Sequence, residues 1–303
     1  MRFSIVIPVY NKADTVLETV RSVLEQSYED REIIVVDDGS QDDLEMALSS
    51  VRENIRLIRQ ENGGVAAARN RGIEESVGNY ICFLDADDIW LPEHLETLSA
   101  AIDAEPEAHF LSTMFRTTFS NGTVKSKLKL LPENQELFWV EDYFKMILDY
   151  STNFIHTDSV CIKRSVLEKF RFEVGEKIGE DTDLWYRVAA YYPLLLIRKE
   201  TAIYRREFST ATIGGTNNLN WAFAKREVQL IQDETIDLAK RRDIQLLVDR
   251  WRCTCCRQLL VQGKRKDAWQ YLKRLKYPLQ KRTIYCAILC TLPQSIQKRI
   301  IKR

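Results

Sequence analysis

Apolar and polar positions alternate along this chain in blocks. Residues 3–9, FSIVIPV, are almost continuously apolar and β-rich, as expected of a strand buried on both faces of a parallel sheet. The next block, DTVLETVRSVLEQS, places Val16, Val20, Val23 and Leu24 on one face of a helix, with Asp14 and Thr15 available as caps. EIIVVDDGS then predicts a second buried strand broken at Asp38-Gly39, DLEMALSSV a helix, IRLIRQ a strand, VAAARNRGIEES a helix and YICFLDADD a strand. Strands alternating with helices predict an α/β layer with a parallel sheet over roughly the first 90 residues.

Beyond residue 90 the alternation weakens. A helix begun by Pro92 is followed by two strands joined at Asn121-Gly122, a turn pair favoured in hairpins. LFWVEDYFKMILDY reads as a helix, NFIHTDSVCIKRSVLEKF as a strand leading into a helix, and GEKIGEDTDLWYRVAAYYP as a helix with acids at its start. Residues 220–278 read as helical, with a break at Gly263.

Composition and charge narrow the picture. With 45% hydrophobic and 29% charged residues the chain is expected to fold rather than stay disordered. Lys+Arg and Asp+Glu balance at 44 each, but residues 240–303 hold 18 basic and 3 acidic side chains, which leaves 26 and 41 for residues 1–239. No nucleic-acid motif accompanies the basic end, so no nucleic-acid partner is expected. TIYCAILCTLPQSIQKRIIKR instead combines apolar positions with Lys and Arg, which fits peripheral contact of residues 280–303 with an anionic membrane; a helix packed on the rest of the protein is the alternative. Seven scattered cysteines suit reduced thiols in a cytosolic protein. MRFSIVIPVY has no signal-peptide pattern and no stretch reaches the ~20 apolar residues of a membrane-spanning helix, so a cytoplasmic location is expected, with possible attachment to the inner membrane face.

The strand ends carry the candidate chemistry. Tyr10-Asn11, Asp37-Asp38-Gly39-Ser40 and Asp85-Ala86-Asp87 follow predicted strands, and open α/β sheets bind ligands outside such ends. Asp85 and Asp87 are costly to bury unpaired, and a hard cation with oxygen ligands removes that cost. An exposed acidic loop that caps the next helix is the alternative.

Taken in order, SIVIPVYNKADTVLETVRSVLEQS, EIIVVDDGSQD, ENGGVAAARNRGIEESVGNYICFLDADD and GEDTDLWYRVA resemble family 2 glycosyltransferases. The resemblance implies a GT-A type three-layer α/β/α sandwich with a mostly parallel central sheet; the C-terminal helical region that the residue pattern predicts lies outside it. Together they divide the chain into a catalytic domain at 1–218, with a nucleotide-binding half at 1–90 and an acceptor half at 91–218, and a basic helical region at 219–303. The resemblance implies an inverting, Mn²⁺- or Mg²⁺-dependent transfer of a sugar, from a nucleotide donor that is most often UDP-linked, to a hydroxyl of a saccharide or lipid-linked glycan in cell-surface polysaccharide synthesis. Pro8, Tyr10, Asp38, Asn62, Arg69 and Asp85 are the implied donor-binding residues, Asp87 the metal ligand and Asp181 the catalytic base. Many members carry Tyr-Arg-x-His after the base, and YRREFS has Glu207 in that place, as a substitute metal ligand or none. The rival reading is a nucleotide-sugar-binding protein of this fold without transfer activity.

Overall fold

The first four apolar blocks become β1 (Phe3–Val9), β2 (Arg31–Asp37), β3 (Arg56–Arg59) and β4 (Tyr80–Phe83), paired in parallel in the order β3-β2-β1-β4. Their connections hold α1 (Val16–Leu24), α2 (Leu44–Ala47) and α3 (Val65–Glu75). The structure is a computed structural model, which describes residues 3–176, 179–208, 222–277, 281–293 and 300. Past β4 the sheet continues through β9 (Val160–Lys163), β6 (Phe110–Thr118) and β10 (Leu194–Arg205) to β5 (Ile89–Trp90). β7 (Val124–Ser126) pairs with β6, and β8 (Leu137–Val140) with β10. β1 to β4, β6 and β10 share one direction; β9, β5, β7 and β8 oppose it, so the sheet is mostly parallel.

Helices cover both faces. On one, Phe3, Ile5, Ile7 and Val9 pack with Val16, Val20 and Val23 of α1 and Leu95 and Leu98 of α4 (His94–Ala104). On the other, Ile34 and Val36 meet Ala68 of α3, and Phe83 packs at 5.3 and 5.5 Å on the rings of Phe172 and Trp185, the latter from α7 (Glu180–Tyr191). A Cβ added at Gly72 would stand 2.2 Å from Val6 Cγ1, so only glycine lets α3 descend this far onto β1. The result is the three-layer α/β/α arrangement expected of the family resemblance.

Local readings differ in places. LFWV forms strand β8 on the edge of β10, and only Tyr143–Tyr150 is helical (α5). Its branched and aromatic residues suit a half-buried pleated edge, which overrides the helical reading. DLEMALSSV gives the single turn α2 followed by a 3₁₀ stretch at Ser49–Asn54, and Thr15 precedes α1 without a side-chain capping bond. The short α6 (Arg164–Leu167) follows β9 as expected.

The chain separates into two compact units, Met1–Tyr143 with Tyr150–Ala211, and Phe144–Asp149 with Thr212–Arg303. The boundary expected at 218/219 falls outside the described residues. The second unit holds α8 (Ala222–Gln232), α9 (Leu238–Val261), α10 (Arg265–Lys273) and α11 (Lys281–Thr291). Asp237 caps α9 by accepting from the Ala239 and Lys240 amides, and Gly263, at φ 80°, ends it. Cys253, Cys256, Leu259, Leu260, Cys286, Leu289 and Cys290 build its core, and all seven cysteines of the chain are buried thiols outside any disulfide. No helix among the described residues is long and apolar enough to cross a membrane. Within the stretch expected to touch a membrane, residues 280, 294–299 and 301–303 lie outside the described ones.

His94 gives the first unit a pH dependence. It is fully buried, its Nδ1 pairs with Thr201 Oγ1 at 2.7 Å, its ring stacks on Trp90 at 4.1 Å, and burial pushes its pKa down to about 3. Between about pH 6.5 and 3 the unfolded chain takes a proton there that the folded chain refuses. Stability contributed by the neutral ring is therefore present above the unfolded pKa and lost as pH falls, by roughly 1.4 kcal/mol per pH unit. Urea unfolding at pH 7 and pH 5 is expected to show a smaller loss in His94→Phe than in the wild type; parallel losses would contradict this.

Candidate active site

The ends of β1 and β2 form one wall of a cleft. Asp38 is buried, its Oδ1 accepting from Gln60 Nε2 at 2.7 Å and the Gly63 amide at 2.9 Å, and its Oδ2 from the Gly64 amide at 2.8 Å. The carboxylate thereby fixes the loop that opens α3. Beside it lies a cavity of about 270 Å³ lined by Pro8, Val9, Tyr10, Asp38, Asn62, Gly64, Val65 and Ala68. Four sequence-expected donor residues, Pro8, Tyr10, Asp38 and Asn62, thus share one cavity. Tyr10 is 47% exposed, which leaves a ring face open for stacking.

Arg69 does not line that cavity. It is 3% exposed, donating through Nη2 to Asp85 Oδ1 at 2.7 Å and through Nη1 to Glu180 Oε1 at 2.9 Å, with Phe172 5.2 Å away under its guanidinium. Burial opposes its charge, but Asp85, Glu180 and Asp181 outweigh burial and raise its pKa. Its guanidinium thereby joins the end of β4 to the start of α7. Asp85 remains 30% exposed, and its carboxyl is pushed up to about 6, by burial first and then by Asp158 and Asp87, against the pull of Arg69.

Behind Asp85 lies a polar chain. Asp158, fully buried, accepts the Asp85 amide on Oδ1 at 2.9 Å and faces His156 Nδ1 with Oδ2 at 2.7 Å; its backbone carbonyl accepts from the Trp90 indole at 2.7 Å. Asp88 accepts the Arg205 amide at 2.6 Å, and α4 begins after Glu93. Burial and Asp158 hold the Asp88 carboxyl well above its usual range. Burial would raise Asp158 too, but His156 and hydrogen bonds from Asp88 and the Asp85 amide bring it down. His156 is raised, Asp158 outweighing burial. Ligand atoms of Asp88, His156 and Asp158 lie within 4.8 Å of one another. His156 Nδ1 and Asp158 Oδ2 stand 2.7 Å apart, an ion pair when the ring is protonated. The chain supports the DAD turn from beneath.

Asp87 lies in the turn closed by the Asp88 amide on the Asp85 carbonyl at 3.0 Å. Its Oδ2 accepts from Lys12 Nζ at 2.7 Å, and Arg205 Nε donates to its backbone carbonyl at 2.6 Å. Arg205 also pairs with Glu18. Asp87 and Asp85 fit a hard divalent cation: both are oxygen donors, and a cationic group already stands on Asp87. The two carboxylate oxygens of Glu207 accept from Thr118 Oγ1 at 3.0 and 3.1 Å.

Asp181 lies in the first turn of α7, after Gly179 at φ 79°. Its Oδ1 accepts from the Thr182 amide at 2.6 Å, and its Oδ2 from Thr157 Oγ1 at 3.2 Å. Lys12, Thr157, Asp158 and Arg205 escaped the sequence reading; HTDS, four polar residues inside NFIHTDSVCIK, and the basic pair in YRREFS were the available signals.

Residues 4–171 match the model of glycosyl transferase family 2. An uncharacterized glycosyltransferase of Rickettsia felis is 27% identical over 289 residues, covering 95% of this chain and 46% of its own. The amylovoran biosynthesis glycosyltransferase AmsB of Erwinia amylovora is 30% identical over 195 residues, 61% of this chain and 63% of its own. The chain thus spans about half the length of the first of these curated relatives and under two thirds of the second. The crystal structure of S. aureus TarS 1-349 in complex with UDP-GlcNAc superposes with a TM-score of 0.64 at 18% identity, over 98% of this chain and 83% of that one, a likeness of fold. With more than half its length under the family model, and the sheet and cleft described above, the chain belongs to glycosyl transferase family 2.

Proposed function

We propose that this glycosyltransferase moves a sugar from a UDP-linked donor to a hydroxyl of a saccharide or lipid-linked glycan, with inversion at the anomeric carbon, in the assembly of a cell-surface polysaccharide. One observation carries the reading: buried Arg69 holds Asp85, at the end of the nucleotide-side strand, and Glu180, next to Asp181, within 2.9 Å. A donor-side acid and the candidate base are thereby locked to one cleft. The UDP-GlcNAc bound by TarS and the polysaccharide named for AmsB support the choice of donor and setting.

In this reading the cavity between Tyr10 and Asn62 takes the base, with the Tyr10 ring against it and Asp38 accepting from the imide N–H. Asp85 accepts from the ribose hydroxyls. Asp87 would hold Mn²⁺ or Mg²⁺, with Asp85 beside it, and such an ion supplies charge stabilisation to the departing diphosphate. Asp181 Oδ2 takes the acceptor hydroxyl's proton as that oxygen attacks the anomeric carbon from the face opposite the diphosphate. One base and one displacement invert the configuration. Catalysis is assigned to residues 1–218, and the basic helical region 219–303 to the inner face of the membrane. Binding of the intact protein to anionic vesicles, lost on removing residues 280–303, is the expected sign of that attachment; equal sedimentation of both forms would contradict it.

The test is nucleotide release. With UDP-glucose, UDP-galactose, UDP-N-acetylglucosamine or GDP-mannose and a panel of glycan acceptors, Mn²⁺-dependent release of UDP is expected from one UDP-sugar. Binding of UDP-sugars without release from any would favour a non-catalytic binding protein.

A further inference from the structure

The loop after β1 is built to aim one lysine. The Asn11 backbone is left-handed at φ 50°; its amide donates to Ser40 Oγ at 3.0 Å, and its side-chain oxygen accepts the Gln41 amide at 2.8 Å. The Ala13 amide donates to Asp42 Oδ2 at 2.8 Å, while the Lys12 carbonyl accepts the Thr15 and Val16 amides that start α1. Lys12 is therefore fixed at its backbone on both sides. Its side chain, 16% exposed, donates to Asp87 Oδ2 at 2.7 Å and to the Phe208 carbonyl at 2.8 Å.

We propose that Lys12 is the resident counter-ion of Asp87, and that it passes to the donor's diphosphate when a divalent cation takes the carboxylate. This rests on the reading of Asp87 as the cation's ligand. An ammonium and a divalent cation compete for the Asp87 carboxylate, so the cation binding alone costs Lys12 its counter-charge. A diphosphate restores it. Cation and nucleotide therefore assist each other's binding, and by linkage each raises the other's affinity by the same factor. A lysine on a flexible four-carbon stem with three donors suits such a move.

The experiment titrates Mn²⁺ by electron paramagnetic resonance, and UDP by calorimetry, into the wild type and the variants Lys12→Met and Lys12→Gln. In the wild type UDP tightens Mn²⁺ binding. In Lys12→Met, Mn²⁺ alone is expected to bind roughly tenfold tighter, and UDP at saturating Mn²⁺ roughly tenfold weaker. Lys12→Gln keeps a donor for the Phe208 carbonyl without the charge and is expected to behave like Lys12→Met. If Lys12→Gln matches the wild type, Lys12 acts as a tether rather than a counter-ion, and the proposal is overturned. A wild type that binds both ligands while neither variant changes Mn²⁺ affinity overturns the Lys12 proposal alone. A wild type that binds neither Mn²⁺ nor UDP overturns the functional reading with it.

Discussion

Asp181→Asn is expected to lower turnover by roughly 10³-fold, the middle of the range for loss of a general base, while UDP binding in the presence of Mn²⁺ stays within about twofold of the wild type. Asparagine keeps the size of the side chain and an oxygen for the Thr182 amide, which now fixes Oδ1 at 2.6 Å. Its NH₂ can face Thr157 Oγ1, the partner of Oδ2 at 3.2 Å. What it removes is an oxygen that can accept a proton. A purely structural role, an acid favouring the positive end of α7, would be worth only about 0.3–1 kcal/mol. That role predicts a small drop in melting temperature with turnover intact. Steady-state kinetics at saturating donor, beside a melting curve, separates the two: unchanged turnover in a folded Asp181→Asn would remove Asp181 from the mechanism.

Asp87→Ala is expected to abolish Mn²⁺ binding and to lower turnover by about 10³-fold or more, since a bound ion contributes several kcal/mol of charge stabilisation. The protein should still fold. Arg205 Nε holds the Asp87 backbone carbonyl, and Asp158 holds the Asp85 amide, so the turn does not depend on the Asp87 side chain. Without the carboxylate, Lys12 keeps only the Phe208 carbonyl among its hydrogen-bond acceptors. In the wild type, EDTA should stop UDP release and added Mn²⁺ should restore it; in Asp87→Ala, Mn²⁺ at any concentration should not. Full EDTA resistance of the wild type would contradict the role given to Asp87.

The nucleotide half was legible because its strands are buried on both faces: FSIVIPV and EIIVVDD leave few alternatives to a parallel sheet, and ligand chemistry follows at their polar ends. The later half was less so. Nothing in NFIHTDSVCIK states that β9 runs antiparallel between β4 and β6, because strand order and direction depend on packing between distant segments. The same limit hid the site's support. Asp158 meets the Asp85 amide across 73 residues, Arg205 meets Asp88 across 117, and Lys12 meets Asp87 across 75. Arg69 shows the limit most clearly: the resemblance implied a donor contact, and nothing in the sequence placed it, buried, between Asp85 and Glu180.

The most direct test follows the anomeric proton. Once a donor and acceptor that support UDP release are known, ¹H NMR of the first product formed by the wild type with Mn²⁺ reports the configuration at the transferred carbon. A single displacement assisted by Asp181 predicts that an α-linked UDP-sugar yields a β-linked product. An α-linked product would contradict it.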